Sequence, residues 1–188
     1  MAATALLRDP DIRILLTRDL AHRHPAALIR HEMGLCAGER RIDIAAITPE
    51  AMHGYEIKSD VDTLARLAGQ ADAYGRVFDR MTLVTTARYV DAATAAVPDW
   101  WEVLVASAGI LHQARPGATQ SGLEPFALAQ LMWRDEALAA LKERGAAWGL
   151  SKKRRWIMWT RLVQVVPADE LGRIVRTQLM TRTTIKEN

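Results

Sequence analysis

The chain has 188 residues, 49% hydrophobic and 25% charged, the make-up of a folded domain with a sizeable core and not of a disordered segment. The single cysteine, Cys36, excludes an internal disulfide, and Met1 to Leu20 is broken by Arg8, Asp9, Asp11, Arg13, Arg18 and Asp19, which excludes a signal-peptide core or a bilayer span there. The expectation is a cytoplasmic protein with a reduced thiol and no membrane partner.

The net charge of +3 is unevenly spread. Residues 1–133 carry 13 Lys/Arg against 16 Asp/Glu, and residues 134–188 carry 12 against 6. A basic tail behind an acidic front suits a metal site beside a phosphate-binding surface, and it equally suits a solvated basic helix.

Asp9-Pro10 reads as a helix start, with Asp as cap and Pro in the first turn. Ile12, Leu15, Leu16 and Leu20 then recur at helical spacing to about His22. His22 and His24 flank Arg23, and no Cys or carboxylate nearby completes a zinc set. Residues 26–34 read as a short helical or extended piece carrying Glu32, followed by turns at Gly34 and Gly38. Residues 41–47 form the first clear strand, stopped by Thr48-Pro49, and residues 55–59 the second. Ser59, Asp60 and Asp62 are the caps expected before a helix over 63–78, whose apolar face is Leu64, Leu67, Ala71, Tyr74 and Phe78.

Residues 81–86 suit a strand buried on both faces, residues 90–96 a short helix ended by Pro98, residues 101–106 another strand, and residues 109–113 an edge strand. Residues 116–122, rich in Gly, Thr, Ser and Gln, read as a linker. One amphipathic helix is expected over 126–144, another from the basic run at 151–155 to about 165, and a last one over 168–180. The alternation predicts an α/β fold, a mixed sheet flanked by helices. Its expected organisation is a core over 1–115, a linker over 116–122 and a basic helical extension over 123–188 packed on that core.

The chemistry concentrates in residues 41–74. Side chains two apart on a strand share a face, roughly 6.6 Å apart, so Glu56 and Lys58 project together, and a hairpin can set Asp43 beside them. Two carboxylates can hold Mg²⁺, a hard cation that completes its shell with waters and substrate phosphate. Lys58 could orient or deprotonate the attacking water, or offset charge in the transition state. Taken alone, the same three side chains could be a surface ion-pair arrangement.

Asp43 followed after twelve residues by Glu56-Ile57-Lys58 resembles the PD-(D/E)XK signature of the restriction-endonuclease-like nucleases, with Ile42 where the name has proline. The phrase continues through Arg41 to Ala45, Gly54 to Leu67, Gln70 with Tyr74, Phe78-Asp79 and Thr82 to Val84. In this it is similar to a poorly characterised bacterial family related to proteins classed as DNA-repair endonucleases. The resemblance implies a restriction-endonuclease-like sheet and a Mg²⁺-dependent endonuclease hydrolysing DNA, with Mn²⁺ as a substitute metal. It fits a setting in DNA repair or in phage and mobile-element processes.

The resemblance further implies metal binding by Asp43 and Glu56, with Glu32 in the place of an upstream helical glutamate, and catalysis by Asp43, Glu56, Lys58, Glu32 and Gln70. Gln70 and Tyr74, four apart on one helical face, would contact nucleic acid or support the lysine; Tyr74 fits the core stripe as well. Arg40 and Arg41 are candidates for phosphate contact. Lys152, Lys153, Arg154 and Arg155, beside Trp156 and Trp159, could grip phosphates and stack on unpaired bases, although both tryptophans suit a core. RNA as substrate, a homodimer, and a non-catalytic nucleic-acid- or protein-binding module on the same fold all stay open. There is no Gly-rich phosphate loop and no G-x-S-x-G elbow.

Overall fold

The computed structural model describes residues 6–182, so the outermost parts of the expected 1–115 and 123–188 units lie outside the described residues. The fold is mixed α/β, with a six-stranded sheet in the order β1-β2-β3-β4-β5-β6. The strands are β1 (Leu28–Leu35), β2 (Arg40–Ile47), β3 (Met52–Ile57), β4 (Arg80–Thr86), β5 (Glu102–Ser107) and β6 (Ile110–Arg115). β3, β4 and β5 run parallel, and β1-β2, β2-β3 and β5-β6 are antiparallel pairs.

Helix α1 (Asp9–Arg23) covers one face of the sheet. Its Ile12, Leu16 and Leu20 are buried with Ile44, Ala46, Tyr55, Ile57, Val84 and Leu104. The other face carries α2 (Leu67–Gly75), α3 (Val90–Ala95), α4 (Pro125–Ala129), α5 (Arg134–Glu143), α6 (Arg155–Val165) and α7 (Ala168–Thr181). The crossovers β3-α2-β4 and β4-α3-β5 pack on the same face, as crossovers of one hand must when the strands advance in one direction.

The helices after residue 122 share one hydrophobic cluster with the sheet, which joins Leu128, Leu141, Met158 and Leu171 to Ile42, Phe78 and Trp101. Residues 116–122 mark a change of layer and are pinned to the sheet. Ala118 N–H donates to the Trp100 carbonyl at 2.8 Å, and the Gln120 amide donates to the Phe78 carbonyl at 2.7 Å. Arg176 closes the far side from α7, donating to the Pro49 carbonyl at 2.7 Å.

Several boundaries differ from expectation. Of the two readings open for the piece carrying Glu32, the extended one holds: it is the edge strand β1, paired with β2 on both sides of Glu32. The cap of α1 is Arg8, whose N–H donates to Asp11 at 2.9 Å, while Asp9 pairs with Arg13. Helix α2 is shorter than the predicted 63–78, because its expected caps are engaged elsewhere. Asp62 closes a turn by accepting from Ser59 N–H at 2.8 Å, and Asp60 accepts from Leu7 N–H at 2.8 Å and from the Thr86 hydroxyl at 2.6 Å. The single helix expected over 126–144 is two, because Glu136 accepts the Trp133 N–H at 2.7 Å and starts a new helix. The apolar stripe survives that break, with Leu131 and Met132 buried inside it.

Candidate active site

The antiparallel register brings three carboxylates into one row. His31 pairs with Ile44 and Met33 with Ile42, so Glu32 on β1 falls opposite Asp43 on β2. The last ladder pair of β2 and β3 is Ile44 with Tyr55, so Asp43 in turn falls opposite Glu56. Neither acid pair belongs to the ladder. At Asp43 the hydrogen bonding of β2 is taken over by the side chain, which accepts the Ile57 N–H at 2.7 Å. At Glu32 the backbone turns to φ 53°, a left-handed conformation that costs a non-glycine residue roughly 1–2 kcal/mol. The row lies toward the carboxyl end of β3, where open α/β sheets place their ligands.

Glu56 and Lys58 are buried, and the Lys58 ammonium donates to Glu56 Oε1 at 2.6 Å. Helix α2 supplies the remaining support. Gln70 Nε2 donates to the same oxygen at 2.7 Å, and the Tyr74 hydroxyl donates to Glu56 Oε2 at 3.0 Å. The Tyr74 oxygen also lies 2.7 Å from the Arg41 carbonyl and accepts from Gln70 at 3.2 Å. Burial first, and the Glu56 charge second, hold the Tyr74 phenol well above its ordinary range, so it stays protonated. Tyr74 is fully buried against Trp101, where its hydroxyl holds Glu56 in place. Gln70 is half-buried, and its Oε1 has no partner among the described residues.

Arg13 completes the row and carried no signal in the sequence beyond its spacing from Asp9. Its guanidinium lies 3.0 Å from Glu32 Oε1 and 3.4 Å from Asp43 Oδ1, and it donates to the Asp43 carbonyl at 3.1 Å. Burial acts against that charge, but Asp9, Asp43 and Glu32 outweigh it and raise the Arg13 pKa. Glu32 sits on the strand β1, whereas the resemblance has a helical glutamate, and the Arg13 guanidinium lies between it and Asp43. Arg41 approaches its second oxygen at 3.7 Å.

The Asp43 carboxyl is pushed up to about 7, by burial first and by the Glu56 charge second, against the Ile57 N–H, Arg13 and Lys58. A divalent cation would relieve that like-charge crowding. Each carboxylate oxygen has two acceptor positions. Glu56 Oε1 uses both, on Lys58 and Gln70, whereas Glu56 Oε2, Asp43 Oδ1 and Asp43 Oδ2 each use one among the described residues. Among those residues no three His, Cys, Asp or Glu side chains close around a common point. Two facing carboxylates are a donor set of the kind Mg²⁺ uses, since it takes one or two protein carboxylates and keeps its waters. Asp43 and Glu56 would hold it, and the unpartnered Gln70 Oε1 offers an acceptor to a neighbouring water.

On the α1 side of the sheet a second polar cluster was also missed by sequence. The Tyr55 hydroxyl lies 2.7 Å from His24 Nε2 and 3.0 Å from His53 Nδ1, His53 Nε2 lies 2.8 Å from the Thr82 hydroxyl, and Thr82 donates to Glu102 at 2.8 Å. Arg23 and Gln113 also donate to Glu102, at 3.0 and 2.7 Å. Burial lowers His53 to about 3, so its ring is neutral and bonded at both nitrogens. This cluster ties α1 to β3, β4 and β5.

Lys152, Lys153, Arg154 and Arg155 are exposed in the turn before α6 and at its first residue. Trp159 is core, donating to the Met132 carbonyl at 3.1 Å, whereas Trp156 is 54% exposed. Among the described residues, no helix is long and apolar enough to cross a membrane.

A family model described as Bacteriophage P4 protein cII matches residues 3–187. The chain belongs to that family. Protein cII of Enterobacteria phage P4 is 32% identical over 94 residues, which make up 49% of this chain and 35% of that protein. The chain thus spans about a third of the length of that relative. A solved protein of unknown function from Silicibacter pomeroyi is similar at a TM-score of 0.47 and 18% identity, over 76% of this chain and 94% of that one.

Proposed function

We propose that this member of the phage P4 cII family is a metal-dependent nuclease of the PD-(D/E)XK type that hydrolyses DNA phosphodiester bonds. The observation that carries the reading is the carboxylate row: Asp43 and Glu56 meet across a broken ladder with the Lys58 ammonium 2.6 Å from Glu56. A Mg²⁺ or Mn²⁺ ion held by Asp43 and Glu56 would acidify a bound water and stabilise charge on the phosphate. Lys58 supplies a fixed positive charge toward the negative charge that develops on the phosphoryl oxygens. Gln70 and Tyr74 keep Glu56 in one rotamer, so both carboxylates are preorganised. Arg13 balances the row's negative charge from the α1 side. Membership in a bacteriophage family favours phage or mobile-element DNA as the setting over DNA repair.

The test is a panel of supercoiled, linear, single-stranded and branched DNA, with RNA as a further arm, incubated with Mg²⁺ or Mn²⁺ and the wild-type, Asp43→Ala, Glu56→Ala and Lys58→Ala proteins. Wild type is expected to cut at least one DNA, and each variant to lose on the order of a hundredfold or more in rate. Equal activity in all four proteins removes the assignment, and cleavage confined to RNA moves the substrate class.

A further inference from the structure

The edge strand β1 borders two hollows with shared walls, which meet the carboxylate row at Glu32. The first, about 570 Å³, lies between β1, the start of β2 and the α4-α5 break; Glu32, Arg40, Arg41 and Arg155 are on its wall. The second, about 600 Å³, shares Ala37, Gln130 and Arg155 with the first and is walled by Phe126, Trp159, Trp156 and Arg154. Together they make a groove that starts at Glu32, one end of the row, and ends at an exposed indole.

The cations along this groove differ in what they already hold. Arg30 donates to the carbonyls of Leu179 and Arg182, at 3.3 and 3.0 Å, and Arg182 pairs with Glu136 and stacks on Trp133. Arg134 ties the basic turn to α5 through the carbonyls of Ser151 and Lys153. These three build the wall. Arg40, Arg41 and Arg154 are exposed, Arg41 lying 3.7 Å from Glu32 Oε2, and among the described residues Arg155 keeps a 3.4 Å contact to the Ala37 carbonyl and a stack on Trp159. Lys152 and Lys153 are exposed beside them.

Aromatic surface accompanies the charge. Trp156, in the first turn of α6, is 54% exposed and Trp148, in the α5-α6 connection, is 95% exposed, so two indoles flank the basic run. Phosphates explain the cations, but bare indole faces call for unstacked bases, which a duplex does not present. A hollow of this size admits nucleotides singly, being within the range of small-ligand pockets.

We infer that the groove from Trp156 through Arg155 to Glu32 binds single-stranded nucleic acid, with bases stacked on Trp156 and phosphates on Arg154, Arg155, Arg40 and Arg41. DNA and RNA share this chemistry. The direction of the strand, toward the carboxylate row, rests on the nuclease reading; the binding itself does not.

The experiment is fluorescence anisotropy of the full chain with labelled strands of about twelve nucleotides, thymidine DNA and uridine RNA, against a duplex of equal length, in EDTA at about 0.1 M salt. Single strands are expected to bind on the order of tenfold tighter than the duplex, and Trp156→Ala and Arg154→Gln/Arg155→Gln each to weaken single-strand binding by on the order of tenfold. Circular dichroism checks that the variants are folded, and Arg18→Gln, an exposed cation on α1 across the sheet from the groove, is expected to bind as wild type does. Binding of either strand that these variants weaken supports the inference. A duplex bound as tightly as either strand, or folded groove variants that bind like wild type, overturns it. Strand binding without cleavage by wild type leaves the groove standing and removes the nuclease, whereas cleavage that groove variants leave untouched does the reverse.

Discussion

Asp43→Asn is expected to make the metal-free protein more stable at about pH 8, because the native Asp43 carboxylate is held there at a loss. Its carboxyl rises from an ordinary 3.8 to about 7 in the folded chain, through burial and then Glu56. A folded value above the unfolded one means that the folded state prefers the protonated form. The stabilisation is complete below the unfolded value and is lost as pH rises through the folded one. At 1.36 kcal/mol per pH unit, a rise of roughly three units places the ceiling of that loss at about 4 kcal/mol. Asn is neutral at every pH and keeps an oxygen to accept the Ile57 N–H. It turns an amide group toward Arg13, which retains Asp9 and Glu32, and the lost charged contact takes back about 1.5–3 kcal/mol. The net gain is then about 1–2.5 kcal/mol at about pH 8, read by urea unfolding in EDTA, and it should shrink toward about pH 5. A variant less stable than wild type at the higher pH, or a difference that ignores pH, would refute the reasoning.

Two further outcomes follow from the same site. Mn²⁺ affinity, measured by calorimetry, should fall as pH drops from about 8 to about 6, because Asp43 takes up a proton near 7 that the metal must displace; an affinity that does not move over this interval counts against Asp43 as ligand. Tyr74→Phe strips Glu56 Oε2 and the Arg41 carbonyl of a buried donor at once, and should cost about 1–3 kcal/mol in thermal or urea unfolding; a variant as stable as wild type would mean that water replaces the hydroxyl.

Much of the site was legible because strands impose a period of two. Glu56 and Lys58, two apart on a strand, are expected on one face, and a hairpin closed at Thr48-Pro49 can set Asp43 beside them. The acids in the remainder of the phrase serve structure in ways that period does not reveal. Asp79 pins the starts of β3 and β4 by accepting the Met52 N–H at 2.7 Å, Asp60 fastens the segment before α1 to β4, and Asp62 closes a local turn. Each depends on a partner brought up by the fold, from 53 residues away for Leu7 and Asp60. Arg13 and Glu102 were illegible for the same reason, since their partners lie on other elements. The break between α4 and α5 was hidden because the apolar stripe runs on through it.

The row also explains why its ladder has to fail where it does. In a continuous antiparallel sheet, directly opposed side chains on adjacent strands stand about 4.5–5.5 Å apart at Cβ, and like charges there repel. Three acids in register on β1, β2 and β3 would destabilise a regular sheet. Here the backbone departs from the ladder at two of them, through the left-handed turn at Glu32 and the side-chain cap of Asp43 on Ile57. The cations then divide the row: Arg13 stands between Glu32 and Asp43, and Lys58 contacts Glu56. What remains is the repulsion of Asp43 by Glu56, which after burial drives the Asp43 carboxyl upward against Arg13, Lys58 and the Ile57 N–H. That is the one place in the row where an added divalent cation gains most, and it adjoins the lysine that the proposed chemistry requires.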